Sequence, residues 1–352
     1  MLAHGGDVWQ VAGEQGIAAG ELLDFSANIN PRGLPLRARE RLARDASDPR
    51  LLSCYPDPTA RCLRAALGAQ TGLPPEAIAV GPGAESLLAP VLRCVATESV
   101  LVPVPAFSEY RRVCEQAEVE FVPFSLNRAE SFRVPVERLC EHAGVVLLNN
   151  PHNPSGALLE AREVLRIAEA PGTLIVDEAF IDYAPHASVV REASVRRGLI
   201  VIRSLTKFYG CPALRVGYAV AHPDTIRKIQ GLLPTWPVTQ LALNALAEAV
   251  TDREFAEASL RENAGERGRL TASLTELGLV VFASAANYLL LELREQMPAS
   301  SDLRSRLIAK HRILIRNCDS YEGLVQGRYV RVAVRSPADN ERLIQALTQE
   351  LT

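Results

Sequence analysis

The sequence predicts an α/β chain in two parts: a large domain with a mainly parallel seven-stranded sheet, then a smaller C-terminal α+β domain. Three observations carry that expectation. At 352 residues the chain exceeds what one compact core usually organises. Between about residues 77 and 221, seven short apolar runs alternate with stretches of helical spacing. After Pro237 the pattern changes to a long helical stretch followed by short strands.

The apolar runs are 77–81, 100–104, 119–124, 145–149, 173–176, 199–203 and 216–221. Each is short, rich in valine, leucine and isoleucine, and bounded by polar or glycine-containing segments, as a buried strand should be. Between them 86–95, 108–116 and 159–168 space their apolar residues as helices do. Near-continuous apolar strands separated by helices specify a largely parallel sheet covered on both faces, with a ligand at the carboxyl ends of the strands. Downstream, 239–277 reads as helix with a break near 251–253. Strands are expected at 288–293, 313–316 and 329–334, and helices at 301–310 and 338–349. The expected division is an N-terminal arm, 1–45, packing with the small domain; a large domain, 46–240; and the small domain, 241–352.

Composition narrows the function classes. With 22% charged residues and a formal net charge of −3, nothing favours nucleic acid or a membrane surface, so a small-molecule substrate is expected. The seven cysteines form no C-x-x-C pair and read as reduced thiols of a cytoplasmic protein. No segment reaches the roughly 18 apolar residues of a membrane span, and 1–9 does not read as a signal peptide. No metal site is expected.

The chemistry concentrates at strand ends. Ser204-Leu205-Thr206-Lys207, with Arg215 eight residues on, follows the 199–203 run. A lysine there can condense with a cofactor aldehyde while hydroxyls and a guanidinium bind its phosphate; alone it would also suit the surface. Asp177-Glu178-Ala179-Phe180 follows the 173–176 run. A buried carboxylate there can keep a pyridinium nitrogen protonated, although a helix cap or a metal ligand is the plainer role. Asn149-Asn150-Pro151-His152-Asn153-Pro154-Ser155-Gly156 forms a stiff turn in which Asn153 can bond a phenolic oxygen, or simply turn the chain. Gly81-Pro82-Gly83-Ala84-Glu85-Ser86 opens a helix whose first amides suit a phosphate. Phe107 can stack on a ring, or pack in the core.

In this order the set resembles the fold-type I pyridoxal 5'-phosphate enzymes, and within them the histidinol-phosphate aminotransferase group, over nearly the whole chain. The resemblance implies that Lys207 is the Schiff-base lysine, that Asp177 pairs with the pyridine nitrogen and that Asn153 contacts the phenolic oxygen. It places Gly83, Ala84, Glu85, Ser204, Thr206 and Arg215 around the phosphate and Phe107 on the ring. Tyr55 matches a tyrosine that reaches the phosphate from the other subunit, which implies a homodimer with shared sites. The group commonly carries tyrosine where this chain has Phe180. That loses a hydrogen bond to the phenolic oxygen, or is a packing variant.

Two arginines in the small domain, Arg316 and Arg331, suit a substrate bearing both carboxylate and phosphate. His4-Gly5-Gly6 and Leu23-Asp24-Phe25-Ser26-Ala27-Asn28-Ile29-Asn30-Pro31, with the Asp-Glu-Ala-Phe form, resemble the L-threonine-O-3-phosphate decarboxylases of cobalamin biosynthesis. By that resemblance His4, Ser26 and Asn30 bind the substrate phosphate, Asn153, Arg316 and Arg331 complete the substrate site, and the product is (R)-1-amino-2-propanol O-2-phosphate. The alternatives are a histidinol-phosphate-type aminotransferase and, from another class, a pyridoxal-phosphate-binding protein without turnover.

Overall fold

The computed structural model describes residues 5–351. Its strands in chain order are β1 Leu23–Asp24, β2 Ile78–Gly81, β3 Ser99–Val104, β4 Glu120–Ser125, β5 Val145–Asn149, β6 Thr173–Asp177, β7 Leu199–Ser204, β8 Gly217–Val220, β9 Val280–Val281, β10 Tyr288–Glu292, β11 Ile313–Leu314, β12 Arg316–Asn317 and β13 Tyr329–Ala333. All seven apolar runs of the large domain become strands of one sheet, ordered β2-β8-β7-β6-β5-β3-β4. Only β8 runs against its neighbours, β2 and β7; the other pairings are parallel.

Alternation along these strands feeds two cores. Val146, Leu148, Leu174, Val176, Leu199 and Val201 face one side, with Leu63, Leu67 and Leu246 from the covering helices. Val145, Leu147, Ile175, Ile200 and Ile202 face the other, against Leu87, Val91, Tyr110 and Val113. A period of two with both faces apolar is what a sheet covered by helices on each side requires. The central strands are therefore polar only where they leave the core, at their carboxyl ends.

The C-terminal part of the chain forms a second sheet, whose Arg316 and Arg331 line the same cavity as those ends. This sheet, β12-β13-β10-β9, is antiparallel and packs Leu289, Leu291, Val330 and Val332 against Leu270, Leu274, Leu303, Leu307, Leu343 and Leu347. The expected break in the long helical stretch is present: Gln240–Val250 and Arg253–Glu276 are separate helices, the second capped by Asp252, whose side chain accepts from Phe255 N. The expected strand at 313–316 is two short pieces with different partners. β11 pairs in parallel with β1 of the N-terminal segment, while β12 joins β13. The N-terminal segment thus crosses both parts: β1 lies on the small domain, and helix Leu36–Ala46 packs on Gln240–Val250, where Asn244 Nδ2 donates to Asp45 Oδ2 at 2.7 Å. Among the described residues no helix is long and apolar enough to cross a membrane.

Candidate active site

Three adjacent strand ends build the floor. Asn149 and Asp177 are register partners on β5 and β6, and Asp177 pairs with Ile202 on β7, two residues before Ser204. Asn149 locks the turn that follows it: its Nδ2 donates to Asp177 O at 2.8 Å, and its Oδ1 accepts from Asn153 N at 2.7 Å. Asn150 ties the other side of that turn to Leu159 by two hydrogen bonds. Asn153 is therefore held by its own backbone before any ligand arrives.

Asp177 is buried and fully engaged. Oδ2 accepts from the Tyr110 hydroxyl at 2.7 Å and Oδ1 from Ala179 N at 3.0 Å. Burial raises its pKa, opposed chiefly by the Tyr110 hydrogen bond, then by Ala179 N and the nearby Lys207 charge. Lys207 stands on the one-turn helix Leu205–Phe208, capped by Ser204, whose side chain accepts from Thr206 N. Burial first, then Arg331 and Arg215, lower its amine from the ordinary 10.5 to about 8, against the opposing pull of Asp177. A lysine so placed holds a substantial neutral fraction near physiological pH, as a carbonyl-condensing amine needs.

At one end lies an anion cradle. Gly83 takes a φ of 104° immediately before helix Ala84–Val95, and a Cβ there would lie 2.8 Å from Arg215 Nη2. The first amides of the helix and the Arg215 guanidinium converge beside the Ser204 and Thr206 hydroxyls, which stand 2.9 Å apart. Gly217 lets β8 approach: a Cβ on it would fall 2.4 Å from Ala84 N. Glu85 turns its carboxylate onto Arg112, so it offers the cradle its backbone.

At the other end, Arg331 on β13 donates through Nη1 to Asn153 Oδ1 and to the Tyr321 hydroxyl, and through Nη2 to Ser26 O at 3.0 Å. Arg316 on β12 donates through Nη2 to Ser320 Oγ at 2.7 Å. Both guanidiniums line one cavity of about 310 Å³ together with Ala84, Glu85, Phe107, Asn153, Asp177, Ser204, Thr206, Lys207, Arg215 and Ser26. Two buried polar atoms of its lining residues, Asn28 Oδ1 and Arg331 Nε, have no partner among the described residues. A ligand with a donor for the first and an acceptor for the second would satisfy both.

Two residues named from sequence, Asn30 and Tyr55, do not line this cavity. Asn30, expected to bind the substrate phosphate, has its side chain engaged within the protein. Its Nδ2 donates to Phe208 O and Ser259 Oγ, its Oδ1 accepts from Arg32 N, and its backbone N supports Lys207 O at 3.0 Å. Tyr55 is 78% exposed and stacks on Trp236 at 4.4 Å, outside the cavity of its own chain. His4 lies outside the described residues. Ser26 is in place, but its hydroxyl donates to Asp24 Oδ1 at 2.6 Å and accepts from Gly6 N at 2.8 Å. Phe180 lines the cavity with its ring edge-on to Tyr288, centroids 5.0 Å apart, a packed arrangement that offers no hydroxyl.

Sequence reading missed Tyr110, Tyr321 and Asn28. Tyr110 follows Phe107 by one helical turn, a spacing that was available as a signal. Tyr321 lies in an irregular turn after β12, where no periodicity marks it.

Residues 20–347 match the family model for aminotransferase class I and II. Threonine-phosphate decarboxylase of Salmonella typhimurium is 36% identical over 99% of this chain and 97% of its own length. The adenosylcobalamin biosynthesis bifunctional protein CobDQ of Leptospira interrogans is 30% identical over 98% of this chain, which spans only 40% of that longer protein. The solved histidinol-phosphate aminotransferase of Clostridium acetobutylicum superposes with a TM-score of 0.84 at 28% identity, covering 93% of this chain and 98% of its own. With a family match over residues 20–347 and a relative 36% identical across nearly its whole length, the chain belongs to the aminotransferase class I and II family.

Proposed function

We propose that this chain is a pyridoxal 5'-phosphate-dependent carboxy-lyase that converts L-threonine O-3-phosphate into (R)-1-amino-2-propanol O-2-phosphate for cobalamin biosynthesis. The observation that carries the reading is one cavity joining Lys207 and Asp177 to two buried arginines, Arg316 and Arg331. The 36% identity to the Salmonella typhimurium threonine-phosphate decarboxylase supports the substrate.

The cavity fits the cofactor. Glycine at position 83 leaves a cradle that a Cβ would fill, Arg215 borders it, and Phe107 offers a flat apolar face. Ala84, Glu85, Ser204, Thr206 and Arg215 would hold the phosphate, Asp177 the ring nitrogen and Asn153 the phenolic oxygen. When bound, pyridoxal 5'-phosphate supplies an electron-withdrawing ring conjugated to the substrate's Cα, which accepts the electron pair left when a bond at that carbon breaks.

The chain's own residues decide which bond that is. Arg331 has its Nε available for a carboxylate, because its hydrogen bonds to Asn153, Tyr321 and Ser26 are made through Nη1 and Nη2. Arg316 supplies the second anion site. Held at both ends by these arginines, the substrate would have its orientation at Cα set by the protein, so that the bond to its carboxylate is the one that breaks and carbon dioxide is released. Lys207 in its ammonium form, populated at neutral pH because its pKa lies near 8, would then return a proton to Cα and be left as the neutral amine. Asp177 keeps the ring nitrogen protonated throughout. Tyr55 completes the phosphate site from the second subunit of a cytoplasmic homodimer.

A histidinol-phosphate-type aminotransferase would use the same lysine and aspartate, and the 28% identity to the Clostridium acetobutylicum enzyme supports that second reading. Product analysis separates them: decarboxylation releases carbon dioxide without an amino acceptor, whereas transamination consumes 2-oxoglutarate and releases none.

A further inference from the structure

Tyr321 is 3% exposed and lines the cavity, yet nothing in the reaction above requires a phenol there. Its hydroxyl accepts from Arg331 Nη1 at 2.9 Å and donates to Asn153 Oδ1 at 3.3 Å. Its ring meets the other arginine, with Arg316 Cζ 5.3 Å from the ring centroid. One side chain therefore touches both guanidiniums, by its polar tip on one and its π-face on the other. The turn that carries it adds to this grip. Ser320 Oγ accepts from Arg316 Nη2 at 2.7 Å, and Tyr321 N donates to Cys318 O at 3.0 Å.

Two guanidiniums sharing a buried cavity repel each other, and each would move toward water unless held. A phenol between them offers an acceptor to one cation and a negative ring face to the other, so it stabilises both without adding a charge that would compete with a substrate anion. It also fixes their separation before substrate arrives, which a carboxylate in the same place could not do without neutralising the site.

We infer that Tyr321 is a positioning residue that sets the spacing of Arg331 and Arg316, and thereby selects amino acids whose carboxylate and second anionic group match that spacing. The inference rests on reading the site as one for a phosphorylated amino acid. It adds a specificity determinant to that reading.

The test compares kcat/KM for L-threonine O-3-phosphate with that for L-homoserine O-phosphate, which carries its phosphate one carbon further out. Tyr321→Leu removes hydroxyl and ring together. It should lower the preference for the shorter substrate about tenfold, mainly through KM, with the visible absorption of the bound cofactor unchanged. Tyr321→Phe keeps the ring and loses the hydroxyl's contacts with Arg331 and Asn153. It should raise KM for threonine phosphate about tenfold while kcat changes little and the preference is retained. An unchanged preference in Tyr321→Leu, with or without an equal loss on both substrates, overturns the inference, as does an unchanged KM in Tyr321→Phe. Should Tyr321→Leu fail to fold, the KM of Tyr321→Phe decides alone. If the wild-type protein releases no carbon dioxide from threonine phosphate, the underlying reading fails before the variants are compared.

Discussion

Removing one hydroxyl, in Tyr110→Phe, should extend the acid limb of catalysis to higher pH than in the native protein. Tyr110 is 1% exposed and donates at 2.7 Å to Asp177 Oδ2, itself a 6%-exposed carboxylate. The phenol remains a donor at any pH at which the protein is folded, because burial first and the Asp177 charge next push its pKa well above 10. Burial already raises the Asp177 pKa, and this hydrogen bond is the largest influence opposing it. A hydrogen bond to a buried charge contributes roughly 1.5–3 kcal/mol, so its loss should lift the Asp177 pKa further in the direction burial already pushes it. A raised carboxylate pKa keeps the group protonated to higher pH. Below the new midpoint Asp177 cannot hold the ring nitrogen's proton by charge. We expect kcat to fall about ten- to a hundredfold on the acid side and to recover as pH rises through the midpoint, while KM changes little. The ring of Tyr110 stays in the core, so folding should be preserved. The assay is kcat for carbon dioxide release against pH in both proteins. A variant with wild-type kcat and a wild-type profile would refute the argument that Tyr110 maintains the Asp177 charge.

Lys207→Ala should abolish the absorption of the lysine-bound cofactor and nearly all turnover, since no other lysine lines the cavity; wild-type activity would show that the site is misassigned. Cofactor uptake by the apoprotein should rise with pH about a midpoint near 8, because the neutral amine is the reactive form and its pKa is lowered from 10.5 to about 8; a midpoint near 10.5 in stopped-flow measurements would contradict the burial argument. Gly217→Ala should weaken cofactor affinity at least about tenfold, since its Cβ would fall 2.4 Å from Ala84 N at the anion cradle, and an unchanged dissociation constant would remove that constraint.

Much of this site was legible because the physics of the sheet is local. Strands buried on both faces leave polar side chains only at their ends, so Asn149, Asp177 and Ser204 mark three adjacent ends from sequence alone, and Lys207 follows directly. Gly83 and Arg215 were readable for a similar reason, as features flanking a helix start and a strand. What escaped depends on distant pairing. Asn30 carries the right chemistry for an anion, but the groups that claim it, the Phe208 carbonyl and the Ser259 hydroxyl, are about two hundred residues away. Tyr321 has no periodicity to betray it, and its importance comes from two arginines on different strands. The split of 313–316 into β11 and β12 likewise depends on partners: Leu23 and Asp24 take the first half, Val330 and Arg331 the second.

The most direct test uses L-threonine O-3-phosphate labelled at its carboxyl carbon, incubated with the cofactor-loaded protein in the presence and absence of 2-oxoglutarate. The account predicts stoichiometric labelled carbon dioxide and aminopropanol phosphate in both cases, with no glutamate formed. Glutamate formed only with 2-oxoglutarate, with the label retained in a keto acid, would contradict it.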